Sequence, residues 1–251
     1  MVPSAPRASF DITVQNASLA YGGALLFREL DFVLPGGVCT CLLGPSGVGK
    51  SSLLRLIAGL ARLDQGEVLC GDRRPLAGRL AWMAQEDNLL PWLSVVQNIT
   101  LGARLRGEPA DHEQADELLA RVGLARQRDQ LPATLSGGER QRAALARTLM
   151  EDRPVVLMDE PFSALDAITR ARLQALAATL LAGRTVLLVT HDPLEALRLG
   201  HRIQVMAGQP ARIEPPICPD GAPPRDLHDP NLLARQGDLL ARLADAQDLA
   251  A

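Results

Sequence analysis

Gly44-Pro45-Ser46-Gly47-Val48-Gly49-Lys50-Ser51 is the stretch that decides the fold. Its spacing is GxxxxGK[ST], and it stands between an apolar strand-like run, Val38 to Leu43, and a helical run from about Lys50 to Leu60. A phosphate-binding loop needs that setting. Glycines let backbone N–H groups turn inward toward phosphate oxygens, and the next helix adds the positive end of its dipole. Lys50 is placed to neutralise β- and γ-phosphates, and the Ser51 hydroxyl to ligate Mg²⁺. A Gly-rich turn with a surface lysine is the plainer alternative, but it does not account for the full spacing in a strand–helix setting. The loop alone specifies a nucleoside triphosphate and nothing finer.

Working outward, Val155-Val156-Leu157-Met158-Asp159-Glu160 is an uninterrupted apolar run ending in two acids. It suits a buried parallel strand whose carboxyl end faces a ligand. Asp159 is the natural Mg²⁺ partner, and Glu160 can accept a proton from an attacking water. Leu135-Ser136-Gly137-Gly138-Glu139-Arg140-Gln141-Arg142 opens a helix with an S-x-x-E capping box, Ser136 with Glu139. Capping does not explain two successive glycines, which cost helix stability relative to alanine. A bare, Gly-flanked helix N-terminus is what an external anion needs.

The chain has 251 residues, a net charge of -3 and an apolar fraction of 47%, enough for a full core and without a basic footprint for nucleic acid. The start, MVPSAPRASF, lacks the apolar core of a signal peptide, and no stretch approaches the ~20 apolar residues of a membrane helix. Work at a membrane therefore requires partners that span it. Cys39 and Cys41 point to one face of a strand and, with Cys70 and Cys218, are expected to be free thiols.

Asp11 to Val14, Leu25 to Phe27 and Asp31 to Leu34 read as three short strands with turns between them. Ser94 to Arg106, Asp111 to Val122 and Gly137 to Glu151 read as helices, Leu165 to Leu181 and Pro193 to Leu199 as two more, and Thr185 to Val189 and Ile203 to Met206 as strands. Strands alternating with helices at both ends imply an α/β fold with a parallel sheet covered on both faces and a helical block inserted between. Five prolines between Pro215 and Pro224 mark a linker, and Leu232, Leu233, Leu239, Leu240 and Leu243 form the stripe of an amphipathic helix that packs on the body.

LSGGERQR and VVLMDEP together resemble the signature and acidic strand of ATP-binding cassette ATPases, the nucleotide-binding subunits of ABC transporters. The order and spacing of motifs cover nearly the whole chain to about residue 210. The resemblance implies a P-loop NTPase core with an N-terminal antiparallel β lobe and a helical subdomain at about residues 86–152, together filling 1–210, with a linker and terminal helix at 211–251. It also implies site residues. Tyr21 resembles the aromatic that stacks on adenine, and Ser52 follows the phosphate loop where threonine is usual. Gln85 resembles the glutamine that joins the Mg²⁺ site to the membrane subunits. Asp166 resembles the acid of the loop crossing the dimer interface, and His191 the γ-phosphate contact. Ser136, Gly137, Gly138 and Glu139 would touch ATP held by a second copy. The implied partners are a homodimer, two transmembrane permease subunits and, indirectly, a solute-binding protein, with ATP and Mg²⁺ at the cytoplasmic face of a bacterial inner membrane. Nucleic acid is not among them: no sustained heptad run points to a chromosome ATPase, and one cassette is too few for a translation factor. Residues 159–170 and 88–95 resemble importers of the nitrate, sulfonate and taurine group, and within it the uptake ATPases for hydroxymethylpyrimidine, the thiamine precursor. Glu139 stands where that group commonly has methionine.

Overall fold

The computed structural model describes residues 9–21 and 24–249. Two sheets organise it. A three-stranded antiparallel sheet, in the order β2-β1-β4, is built from β1 (Ile12–Tyr21), β2 (Ala24–Leu34) and β4 (Gln65–Cys70). A six-stranded sheet has the order β5-β6-β7-β3-β8-β9, from β3 (Cys39–Leu43), β5 (Leu80–Met83), β6 (Val155–Asp159), β7 (Thr185–Val189), β8 (Arg202–Ala207) and β9 (Arg212–Ile213). Its first five strands in that order are parallel, and only β9 is antiparallel.

The parallel strands are apolar on both faces because both faces are covered. Alternate residues go to different cores: Cys41, Leu43, Val156, Met158, Val186 and Leu188 to one, Leu42, Val155, Leu157, Leu187 and Val189 to the other. The second core is closed by α1 (Lys50–Ile57) and the antiparallel sheet. The first is closed by α5 (Gly137–Met150), α6 (Ala167–Leu180), α7 (Pro193–Leu199) and α8 (Pro230–Asp248), with α2 (Val95–Ile99) and α4 (His112–Arg121) packed beyond α5. Truncating a fully buried member such as Leu157 to alanine should cost about 2–5 kcal/mol.

Three sequence expectations change. The three N-terminal strands are two long ones. Asn16 and Glu29 take positive φ, 53° and 51°, and the β1–β2 register shifts near them, so the ladder bends and continues where sequence punctuation suggests a break. The helix expected over Ser94 to Arg106 is two short helices, α2 and α3 (Leu101–Leu105), parted at Thr100, whose hydroxyl bonds back to the Val96 carbonyl. The Pro-rich segment is tied to the body. Ile203 and Ile217 exchange two backbone bonds of 2.8 Å, and the buried Arg225 guanidinium donates to the carbonyls of Leu197, Gly200, Pro219, Asp220 and Gly221. Beyond it, α8 buries Leu232 and Leu239 of the expected stripe but leaves Leu233 and Leu240 exposed, with Ala246 buried instead. All four cysteines are free thiols. Among the described residues no helix is long and apolar enough to cross a membrane.

Candidate nucleotide site

The register of the sheet assembles the site. Leu42 of β3 and Asp159 of β6 both pair with Val189 of β7, so the carboxyl ends of three adjacent strands are level. The loop after β3, the Asp159-Glu160 pair and the Thr190-His191-Asp192 segment therefore leave the sheet side by side, where open α/β sheets bind ligands. Gln85, two residues past β5, emerges at the same edge and is exposed.

Gly44 to Gly49 form the loop, with Ser46 and Gly47 exposed at its mouth and Val48 and Gly49 buried beneath. Gly49 has φ 116°, and a Cβ there would lie 2.8 Å from the Phe27 ring, so the loop closes only on a glycine. Lys50 is 7% exposed and donates to the carbonyls of Gly44 and Pro45, each at 2.8 Å, which spans its ammonium across the loop. Burial lowers its pKa, and the nearby carboxylates of Glu160 and Asp159 oppose that shift. Asp159 is buried too, and burial raises its pKa; a hydrogen bond with Ser51 works against it. Ser52 lies half-buried in the first turn of α1.

Glu160 adopts φ 50°, a left-handed conformation unusual for a non-glycine residue. Its carboxylate meets His191 Nδ1 at 3.1 Å, and His191 is 64% exposed, facing outward above it. Behind this pair lies a small polar cavity bounded by Glu160, Ser163, Arg170, Thr190, Asp192 and Glu195. Glu195 is buried, and burial raises its pKa to about 7.

Ser136, Gly137, Gly138 and Glu139 open α5. Ser136 caps α5, and its capping box with Glu139 is complete: Glu139 N donates to Ser136 Oγ, and Ser136 N and Oγ donate to Glu139 Oε2 at 2.8 and 2.7 Å. The bond from the Ser136 backbone does most to hold the Glu139 carboxyl below its usual range. Ser136 and Gly137 are exposed, and a Cβ on Gly138 would lie 3.3 Å from the Ala164 carbonyl. This helix end thus packs on the 163–165 turn of its own chain. Asp166 caps α6 by accepting from Ile168 N and Thr169 N at 3.1 and 3.0 Å, and it is exposed. Tyr21 ends β1, but its side chain lies outside the described residues.

The structure thus brings together Lys50, Ser51, Asp159, Glu160 and His191, while Ser136 and Glu139 bond to each other and Glu139 accepts from Gln127. Type and spacing assign no part to three residues that touch the Glu160 turn or the cavity behind it: Gln141, whose Nε2 donates to the Glu160 carbonyl, and Arg170 and Glu195, which depend on tertiary contacts.

Residues 27–163 match the family described as ABC transporter, more than half of the chain. The chain belongs to the ABC transporter family. It is 45% identical over 243 residues to an uncharacterized ABC transporter ATP-binding protein of Haemophilus influenzae, covering 94% of this chain and all of that one. It is 42% identical over 249 residues to the aliphatic sulfonates import ATP-binding protein SsuB 2 of Burkholderia cenocepacia, covering 97% and 90%. Its fold matches the ATP-binding cassette MJ0796, solved as a dimer in a post-hydrolysis state bound to ADP and Pi. The TM-score is 0.74 at 28% identity, covering 84% of this chain and 99% of that one. As an ATP-binding cassette of this family, the chain is an ATPase that energises transport.

Proposed function

We propose that two copies of this chain close head to tail over two ATP molecules and so drive import of an aliphatic sulfonate through two transmembrane permease subunits. A solute-binding protein delivers the solute, and the cassette sits peripherally on the cytoplasmic face of a bacterial inner membrane. One observation supports the dimer: the N-terminus of α5 is exposed at Ser136 and Gly137 and backed at Gly138 by its own 163–165 turn, free to serve as half of an anion site. A second copy's Lys50 loop supplies the other half, and the arrangement is two-fold symmetric. The sulfonate assignment follows the names of the relatives.

In this reading Lys50 and the loop amides hold the β- and γ-phosphates. Glu160 takes a proton from the water that attacks the γ-phosphorus. The bond from that phosphorus to the bridging oxygen breaks, and ADP and phosphate leave. His191, already paired with Glu160, touches the γ-phosphate, and Tyr21 stacks on the adenine. Ser51, Asp159 and Gln85 offer oxygen donors of the kind a hard cation takes, and the contact between Ser51 and Asp159 supports that reading. Mg²⁺ would be held by these residues and would supply charge neutralisation at the phosphates.

The test of shared ATP uses differently tagged chains on a Glu160→Gln background, which blocks turnover. A Lys50→Ala chain mixed with a Ser136→Arg chain retains one intact sandwich. Both substitutions on one chain, mixed with an otherwise unaltered chain, leave each sandwich half damaged. ATP-dependent dimerisation between the differently tagged chains should survive in the first mixture and fail in the second. Equal dimerisation, or the reverse order, would refute the shared site.

A further inference from the structure

Gln141 lies one turn into α5, is 7% exposed, and spends every polar atom on the turn that follows β6. Its Nε2 donates to the Glu160 carbonyl at 3.0 Å and to Ser163 Oγ at 3.1 Å, and its Oε1 accepts from Ala164 N at 2.8 Å. Ser163 Oγ donates back to the same Glu160 carbonyl at 3.1 Å. On its other side, Glu160 is held by its N–H, which donates to the Val189 carbonyl at 2.9 Å. A left-handed backbone at a non-glycine residue is strained and persists only where its surroundings over-determine it. Here the over-determination comes from Val189 on the sheet side and from Gln141 on the helix side.

We infer that Gln141 is a positioning residue for hydrolysis: it holds the backbone of Glu160 in its own chain so that the carboxylate stays beside His191. The inference rests on the proposed role of Glu160 as the base. A side chain at position 141 without the amide leaves the Glu160 carbonyl with one side-chain donor and Ala164 N with none. The turn can then relax, and a shift of about 1 Å at a reacting group costs up to about 10²-fold in rate.

A structural role in presenting Ser136 to the partner's ATP would act across the dimer, so the two roles separate by chain. Heterodimers are isolated through two tags as the ATP-bound form without Mg²⁺, and a single turnover is started by adding it. In the first, a Gln141→Met chain is paired with a Glu160→Gln chain, so the only base lies beside the altered residue. In the second, both substitutions sit on one chain and the base belongs to an unaltered partner. Phosphate release should be about 10- to 100-fold slower in the first than in the second, with ATP Kd unchanged in both. Equal rates, or a slower second heterodimer, would overturn the inference. Gln141→Asn keeps a polar side chain too short to reach the turn. As a homodimer it should lose the same factor in kcat at unchanged ATP Kd, and an unaltered kcat would equally overturn it. A Glu160→Gln homodimer is run alongside: full turnover there would remove the base assignment itself, whatever Gln141 does.

Discussion

Glu195→Gln should flatten the dependence of stability on pH. Glu195 is 5% exposed, beneath the Thr190-His191 segment, and Gln174 Nε2 donates to its Oε2 at 3.1 Å. Its other oxygen has no hydrogen-bond partner among the described residues. Burial, with a smaller push from Asp192, raises the carboxyl from 4.5 to about 7; Thr190, Gln174 and Arg170 oppose the rise. The folded protein therefore binds a proton that the unfolded chain has already released. The resulting stabilisation is fully present below about pH 4.5 and is lost as pH rises through about 7. At about 1.4 kcal/mol per pH unit, the loss is of order 3 kcal/mol. A glutamine accepts from Gln174 as the carboxyl does and does not titrate. Its NH₂, set where the unpartnered oxygen lies, adds a cost of about 1–3 kcal/mol that is the same at every pH. The absolute stability of the variant is thus a poor readout and the slope a good one. Chemical unfolding at intervals from pH 4.5 to 8.5, without nucleotide, should give a parent curve that falls relative to the variant by about 3 kcal/mol, or roughly 6–12 °C in Tm for a chain of this size. Parallel curves would show that Glu195 is ionised in the folded protein throughout and would refute the reasoning.

Two further outcomes follow from single contacts. Glu139→Gln keeps the capping geometry but removes a carboxylate that engages the Ser136 hydroxyl beside the expected position of a partner's phosphates. ATP-dependent dimerisation in a Glu160→Gln background should tighten by about 5- to 30-fold, the 1–2 kcal/mol expected for one nearby charge in partly screened surroundings, and an unchanged dimer constant would show that the charge is not felt there. Trp92 is 70% exposed, whereas Leu89, three residues before it, is buried. Trp92→Ala should leave the ATPase of the isolated subunit within about two-fold, as expected for an exposed side chain, while reducing transporter-dependent growth on an aliphatic sulfonate as sole sulfur source. Equal losses of both would assign Trp92 to the packing of the helical region.

Much of the fold was legible because the deciding elements are local. An apolar strand closing on Asp159 with Glu160 next, and a glycine loop before a helix, each carry their structure in their own spacing, and the parallel sheet follows from their alternation. The N-terminal strands were misdivided because bulges at Asn16 and Glu29 preserve a ladder that sequence punctuation appears to end. The Pro-rich stretch read as a linker because its anchor is one arginine bonded to five backbone carbonyls, and carbonyls leave no trace in composition. In the site, the phosphate loop and the acids were readable from type and spacing. The Gln141 clamp and the buried Glu195 were not, because their meaning lies in contacts 19 to 23 and 21 residues away in sequence.

The same contacts explain why α5 can report on three places at once. Its exposed end is Ser136-Gly137-Gly138, and Gln141 on its flank grips the Glu160 turn. Arg140 and Arg147, seven residues apart and so on a common face, grip a third place. Arg140 Nε meets Asp87 Oδ2 at 3.0 Å, and Arg147 donates to the carbonyls of Asp87 and Asn88, each at 2.7 Å. Those two residues lie between Gln85 and the exposed Trp92. A helix is stiff along its axis, and its hydrogen bonds to both loops are made to backbone as well as side chains. The arginine side chains can follow a small displacement of the 87–92 loop by rotating, whereas one beyond their reach either breaks these bonds or carries α5 with it. In the proposed dimer, carrying α5 would move the signature end relative to a partner and the Gln141 clamp relative to the Glu160 turn in one step, through a single helix of 14 residues.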